Sequence, residues 1–256
     1  MGKAPQSVDG GRETARFGRL AFNHFKDLAR DEGLSEHEKI GFPDAFREGY
    51  DDAIWDDIVA KLPALSGRGA RVLDIGPGCG PLPRKLITLA EANGHTVTLI
   101  DHAEMLSQLP TSPTTTPVPG RFPDDLPESS EGYDALICYS VLQVVIMDAN
   151  PFTFVDAAAA LLRPGGRLLV ADIPNFSKLR RFLASEAGAA YHRSYMKTDE
   201  PPHVPAFAPA VDRIDDGILF GLAMRARNAG FDAFVMPQPT VLPMAGRRED
   251  LLIARP

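Results

Sequence analysis

Cysteine is scarce: the 256 residues hold two, Cys79 and Cys138, both in apolar or glycine-rich settings. Two such thiols give no disulfide framework, and a reducing cytoplasm is the expected compartment. A positive excess is lacking as well. Lys and Arg number 27 against 34 Asp and Glu, a net charge of -7. Duplex-binding proteins carry a basic face, so nucleic acid is not an expected partner. No run approaches the roughly 18 to 20 apolar residues of a membrane span. The opening MGKAPQSVDGGRETARFGR has no apolar segment, so no secretory signal is expected there. The six histidines do not cluster at ligand spacing, and no metal is expected. There is no internal repeat.

What is present is an alternation. RVLDIG (71–76), HTVTLID (95–101), YDALICYS (133–140) and RLLVADI (167–173) read as strands, short apolar or β-branched runs. LPRKLITLAEANG (82–94), AEMLSQL, FTFVDAAAALLRPGG (152–166) and DDGILFGLAMRARNAGF (215–231) read as helices, three of them stopped by glycine. PTSPTTTPVPG (110–120) is too rich in proline for more than a short edge strand near Val118. DAFVMPQ and EDLLIARP read as a closing pair of strands. Strands alternating with helices predict an α/β fold, a doubly wound, mostly parallel sheet with helices on both faces. The expected organisation is a disordered lead-in over 1–13, a helical cap over 14–65, and a sheet domain over 66–256. An insertion at 174–211 has the length of a lid or substrate loop.

The chemistry centres on VLDIGPGCGPLP, where Gly76, Gly78 and Gly80 follow a strand at every second position. A dinucleotide is one reading, since Asp101 ends the next strand where a ribose acid belongs. The glycine spacing and three prolines disfavour it. Pro77, Pro81 and Pro83 have no N–H for a pyrophosphate. No G-K-[ST] step follows, which excludes a Walker loop. A nucleoside cofactor without phosphate fits this turn better.

The stretch Asp74-Ile-Gly76-Pro-Gly78-Cys-Gly80 resembles motif I of class I S-adenosylmethionine-dependent methyltransferases. The resemblance covers residues 70–173 at motif level and implies a seven-stranded Rossmann-like sheet. It also implies S-adenosylmethionine as methyl donor and S-adenosylhomocysteine as product. Asp74 and the glycine turn are then expected at the methionine end of the cofactor, and Asp101 at the ribose hydroxyls. His102, Met105, Arg121 and Phe122 are expected around the adenosine half, and Tyr139 and Ser140 beside the methionine part. An NAD(P)-dependent oxidoreductase and a non-catalytic cofactor-binding partner subunit are the alternatives.

The same resemblance narrows the acceptor. The place after the fourth strand reads CYSVLQVV, not the D/N/S-P-P-aromatic motif of exocyclic-amine DNA methylases, and no Pro-Cys nucleophile is present. A small molecule methylated on oxygen is expected. Asn175, Lys178, Arg180 and Arg181, at the start of the insertion, suggest a phosphate or carboxylate on it. His192 is the expected base, with Asp172 next. EKIGFPDAFREGY, DIPNFSKLRRF and IDDGILFGLAMRARNAGFDAFVMPQ also resemble methyltransferases of bacterial surface-polysaccharide biosynthesis, which implies a sugar-linked acceptor.

Overall fold

The computed structural model describes Phe17 and residues 20–128, 131–203 and 213–256. The expected lead-in over 1–13 and the end of the insertion lie outside the described residues.

Seven strands form one sheet: β1 (Arg71–Ile75), β2 (Thr96–Asp101), β3 (Thr115–Pro119), β4 (Tyr133–Tyr139), β5 (Leu162–Pro174), β6 (Asp232–Pro237) and β7 (Arg248–Ala254). Their spatial order is β3-β2-β1-β4-β5-β7-β6. The first five pair in parallel, while β7 runs antiparallel to β5 and β6. Proline-rich β3 is tolerated because it sits at an edge, where a missing N–H breaks no ladder.

Alternate strand residues bury on opposite faces, as the pleat requires. Leu73, Leu136, Leu168, Leu251 and Ile253 face α7 (Pro151–Ala160) and α10 (Asp216–Asn228). Val72, Val97, Leu99, Leu169 and Leu252 face α3 (Asp51–Lys61) and α4 (Pro81–Asn93). The α4 helix stops at Gly94, whose φ of 67° suits the left-handed cap. Asparagine and aspartate side chains start α7 and α10: Asn150 accepts from the Phe152 N–H and Asp215 from that of Ile218.

Two boundaries differ from the sequence reading. The helix expected over 152–166 ends at Ala160, and Leu162–Gly166 joins the irregular start of β5. Pro164 cannot donate to a helix, and Gly165, at φ 81°, turns the chain. The segment after β4 holds an unexpected helix, α6 (Leu142–Asp148).

The N-terminal residues form α1 (His24–Arg30), α2 (Glu36–Lys39) and α3, with 3-10 turns at Asp44–Phe46 and Pro63–Ser66. Ser35 and Glu38 close a capping box at α2. The insertion folds into α8 (Phe176–Leu183) and α9 (Glu186–Met196).

The cap is joined to the sheet by buried charge as well as by Ile54 and Ile58. Lys61 of α3 donates to Asp57 at 2.5 Å and to Asp250 of β7 at 2.6 Å, and all three are buried. Burial alone would discharge Lys61, but the charge and hydrogen bonds of Asp250 and Asp57 outweigh it and raise the ammonium above its ordinary value. Lys61→Met should lower unfolding free energy by about 3 to 5 kcal/mol, because two carboxylates lose their buried counter-ion. Urea denaturation measures it. A loss below about 1 kcal/mol, the scale of a surface ion pair, would show that solvent reaches this network.

Candidate active site

The chain order reverses between β1 and β4, and ligands in open α/β sheets lie beyond the carboxyl ends at such a point. A cavity of about 590 Å³ opens there. Its wall includes Asp74, Gly76, Gly78 and Gly80 from the turn after β1, Asp101, His102 and Met105 from the end of β2, and Arg121 and Phe122. Tyr139 and Ser140 from the end of β4 complete this side. All eleven residues expected around the cofactor therefore meet in one space.

The turn explains its own composition. Gly76 and Gly78 have φ near 69° and 68°, a conformation that glycine adopts without strain. A Cβ on Gly76 would lie 2.7 Å from Val141, and one on Gly78 would lie 2.6 Å from Ile40 of the cap. The room that Gly76 and Gly78 leave is thus filled by the protein's own side chains. Asp101 fixes the turn from the other side. Its Oδ2 accepts the Gly78 N–H at 2.8 Å and its Oδ1 the His102 N–H at 2.7 Å. A carboxylate has about four acceptor sites, so capacity remains for ligand hydroxyls.

His102 stacks on Phe22 of the cap with ring centres 3.7 Å apart. Its Nε2 is buried beside the cavity and has no partner among the described residues. Arg121 pairs with Asp148 at 2.5 Å and lies over the Phe22 ring. Asp74 receives no hydrogen bond from the described residues. Burial, and then the charge of Asp101, push its carboxyl up to about 8. The wall carries five carboxyl groups, on Asp51, Asp74, Asp101, Asp124 and Asp148, against the guanidinium groups of Arg47 and Arg121. Such a cavity favours a cationic ligand.

A second cavity, of about 300 Å³, lies next to it. Phe25, Phe42 and Val144 line both and mark the junction. Its wall also includes Phe46 of the cap, Phe176 of α8, Tyr191, His192 and Tyr195 of α9, and Arg213, Arg247 and Arg248.

Arg47, which sequence reading missed, holds the partition. Its guanidinium donates to Asp172 at 2.5 Å, to Ser140 Oγ at 2.7 Å and to the Tyr139 hydroxyl at 3.4 Å. It lies 4.0 Å above the Phe42 ring. Ser140 and Asp172 are left-handed, with φ of 62° and 57°. Non-glycine residues hold such angles at a cost of about 1 to 3 kcal/mol and only where the surroundings enforce them. Here Ser140 also donates to Asp172 at 2.5 Å, and the Asp172 N–H donates to Asp250.

This knot corrects the assignment of Asp172 as a base. Its Oδ2 takes Arg47, Ser140 and Arg248, and its Oδ1 takes Gln238. Burial would raise the carboxyl, but Arg248 and Arg47 overcome it and hold the group below the usual carboxylate range. It is a spent acceptor and cannot take a proton at neutral pH.

The basic run is corrected too. Lys178, Arg180 and Arg181 line neither cavity. Lys178 donates to the Arg248 carbonyl at 2.9 Å, and Arg181 pairs with Asp216 at 2.5 Å. Asn175 reaches the second cavity, but its side chain caps α8 and donates to Asp216 and Glu249. Lys178 turns to β7 and Arg181 to solvent, a placement that a count of charges does not reveal.

A family model described as Methyltransferase domain matches residues 46–200. Among curated proteins, a Ubiquinone biosynthesis O-methyltransferase of Xylella fastidiosa is 38% identical over 141 residues, 53% of each chain. A Demethylmenaquinone methyltransferase of Tropheryma whipplei is 32% identical over 154 residues, 57% of this chain and 56% of that one. The chain spans about half the length of the curated relatives it matches. Among solved structures, magnesium protoporphyrin IX methyltransferase from Synechocystis shares the fold at TM-score 0.55 and 17% identity, over 91% of this chain and 96% of that one.

The Asp74 carboxyl predicts a pH signature. Unfolded, it loses its proton above about pH 4; folded, it keeps the proton up to about 8. The folded state therefore binds one more proton in that window, and stability falls as pH rises, by up to about 1.4 kcal/mol per unit from this group. Asp74→Asn should flatten the decline and be more stable than the parent at pH 8. Urea unfolding across pH 5 to 8 measures it (roughly the window set by those two values). An unchanged slope in the variant would assign Asp74 an ordinary carboxyl.

Proposed function

The chain belongs to the methyltransferase-domain family and is an S-adenosylmethionine-dependent enzyme, and on that premise we propose that it methylates a hydroxyl oxygen of a small acceptor held in the second cavity. The observation that carries this reading is the pair of cavities meeting at Phe25, Phe42 and Val144. A group-transfer enzyme needs donor and acceptor side by side with water excluded, and three apolar side chains at the junction suit that need.

The first cavity fits the cofactor chemically. Its volume lies within the range of about 300 to 1,000 Å³ typical of ligand pockets, and its excess of aspartates matches a ligand with net positive charge. When bound, S-adenosylmethionine supplies an electrophilic methyl group on a positive sulfonium. Asp101 offers its remaining lone pairs to ribose hydroxyls. Asp74, without a donor of its own, is the acceptor for an ammonium group. His102 Nε2 and Met105 lie where the adenosine half is expected, with Phe22 and Arg121 as its cover. Tyr139 and Ser140, fixed by Arg47, define the wall on the acceptor side.

On the acceptor side, His192 is the base. Its imidazole is half-buried and lines the second cavity, where no Asp or Glu does among the described residues. A ring nitrogen takes the proton from the acceptor hydroxyl as that oxygen bonds to the methyl carbon, which raises the nucleophilicity of a group that is weak at neutral pH. Arg47 and Asp172 act as positioning residues through Ser140 and Tyr139. The O-methyltransferase name of the Xylella fastidiosa relative supports oxygen as the acceptor atom. Neither relative reported above is named for polysaccharide work, so the sugar-linked reading has no support from them.

Three results test the proposal. Titration calorimetry should give binding of S-adenosylhomocysteine and none of NAD+, and Asp101→Ala should weaken the former at least about tenfold, the worth of one charge-assisted hydrogen bond. Unchanged affinity removes Asp101 from the site. Incubation with methyl-labelled S-adenosylmethionine and small phenols should yield labelled aryl methyl ethers. Label on amine nitrogen or on carbon, with none on oxygen, overturns the reading. With such an acceptor, His192→Ala should slow single turnover by about 10² to 10⁴; a rate within a few-fold of the parent eliminates the base.

A further inference from the structure

The second cavity carries a charge pattern that transfer to a neutral hydroxyl does not require. Among the described residues its wall holds Arg213, Arg247 and Arg248 and no carboxylate. That is unusual in a chain of net charge -7, and the reverse of the first cavity next door. Arg248 is occupied, donating to Asp172 and Gln143. Arg213 and Arg247 have no ion-pair partner among the described residues.

Both are nevertheless held in place. The Arg213 guanidinium lies 4.8 Å from the centre of the Phe176 ring, and that of Arg247 lies 5.0 Å from the centre of the Phe46 ring. Both rings line the same cavity. Stacking fixes the guanidinium plane while leaving its edge N–H donors available, the arrangement that binds a carboxylate or phosphate in two-point fashion. Burial, opposed by Asp172 and reinforced by Arg47 and Arg247, lowers Arg248 to about 10. The same wall carries an aromatic series that includes Phe46. Tyr191 and Tyr195 stack with centres 5.6 Å apart and planes 9° off parallel, and Tyr195 lies 6.3 Å from Phe46. Such rings suit a flat apolar body.

We propose that the acceptor is an anionic hydroxyl compound: a flat, apolar body bearing a carboxylate or a phosphate monoester, whose oxyanion docks on the guanidinium groups of Arg213 and Arg247. The proposal rests on the second cavity being the acceptor site. Arg213 and Arg247 line that cavity alone, whereas Phe25, Phe42 and Val144 line both. In the proposed pose Arg213 and Arg247 hold the anion while the hydroxyl faces the junction and His192. An acidic donor cavity beside a basic acceptor cavity would also sort the two ligands by charge.

The test uses the protein saturated with S-adenosylhomocysteine and three probes of one ring size: 4-hydroxybenzoate, 4-hydroxyphenyl phosphate and neutral hydroquinone. By calorimetry, at least one anion should bind about tenfold or more tightly than hydroquinone, the scale of one charge-assisted hydrogen bond. Which anion prevails identifies carboxylate or phosphate. Arg213→Ala and Arg247→Ala should each remove most of that preference, with S-adenosylhomocysteine affinity kept as proof of an intact fold. Hydroquinone binding as tightly as both anions, or a preference that survives in both variants, overturns the anionic acceptor and leaves the second cavity as its site. No binding of any probe by the parent overturns the acceptor site itself.

Discussion

The Arg47–Asp172 ion pair is the constraint on which the site depends. It joins residues 125 positions apart, one from the cap and one from the end of β5. A buried pair of this kind adds little net stability over an apolar contact, yet losing one partner is severe. Its structural consequence is specific. The same guanidinium binds Ser140 and lies on Phe42, so one side chain sets the end of β4, the end of β5 and the partition between two cavities. Three buried cations, Arg47, Arg248 and Lys61, meet three buried carboxylates, Asp172, Asp250 and Asp57. The network closes without excess charge, and that balance makes such burial tolerable.

That balance also accounts for the chemistry assigned around it. Asp172 holds its charge for structure and is lost as a base. Asp74, near the carboxyl end of β1 with β4 between it and β5, has no cation partner among the described residues and keeps its proton up to about 8. Two aspartates at the same edge of the sheet thus differ in protonation because one has arginines and the other has a cavity. A cationic ligand is what the second lacks.

The cap is part of the site rather than an appendage. Ile40 occupies the space a side chain at Gly78 would need, Phe22 covers His102, and Phe42 stands between the cavities. A substitution in the glycine turn is felt first by the cap, and a loosened cap opens both cavities.

The sequence by itself determined the sheet and the first cavity. Strand and helix runs are local patterns, set by the pleat, by helical periodicity and by the glycine and proline stops. A turn such as Asp74 to Gly80 is contiguous, so its chemistry is legible in one line. Asp101 was legible because the βαβ unit fixes its distance from the turn. The second cavity was decided by tertiary structure alone. Arg213, Arg247 and Phe46 come from segments with no local pattern in common, brought together by the cap and by the return of β7 against β5. The run of Lys178, Arg180 and Arg181 misled for the same reason. Charge content can be counted along a chain, but the face of a helix that carries it is set by what the helix packs against.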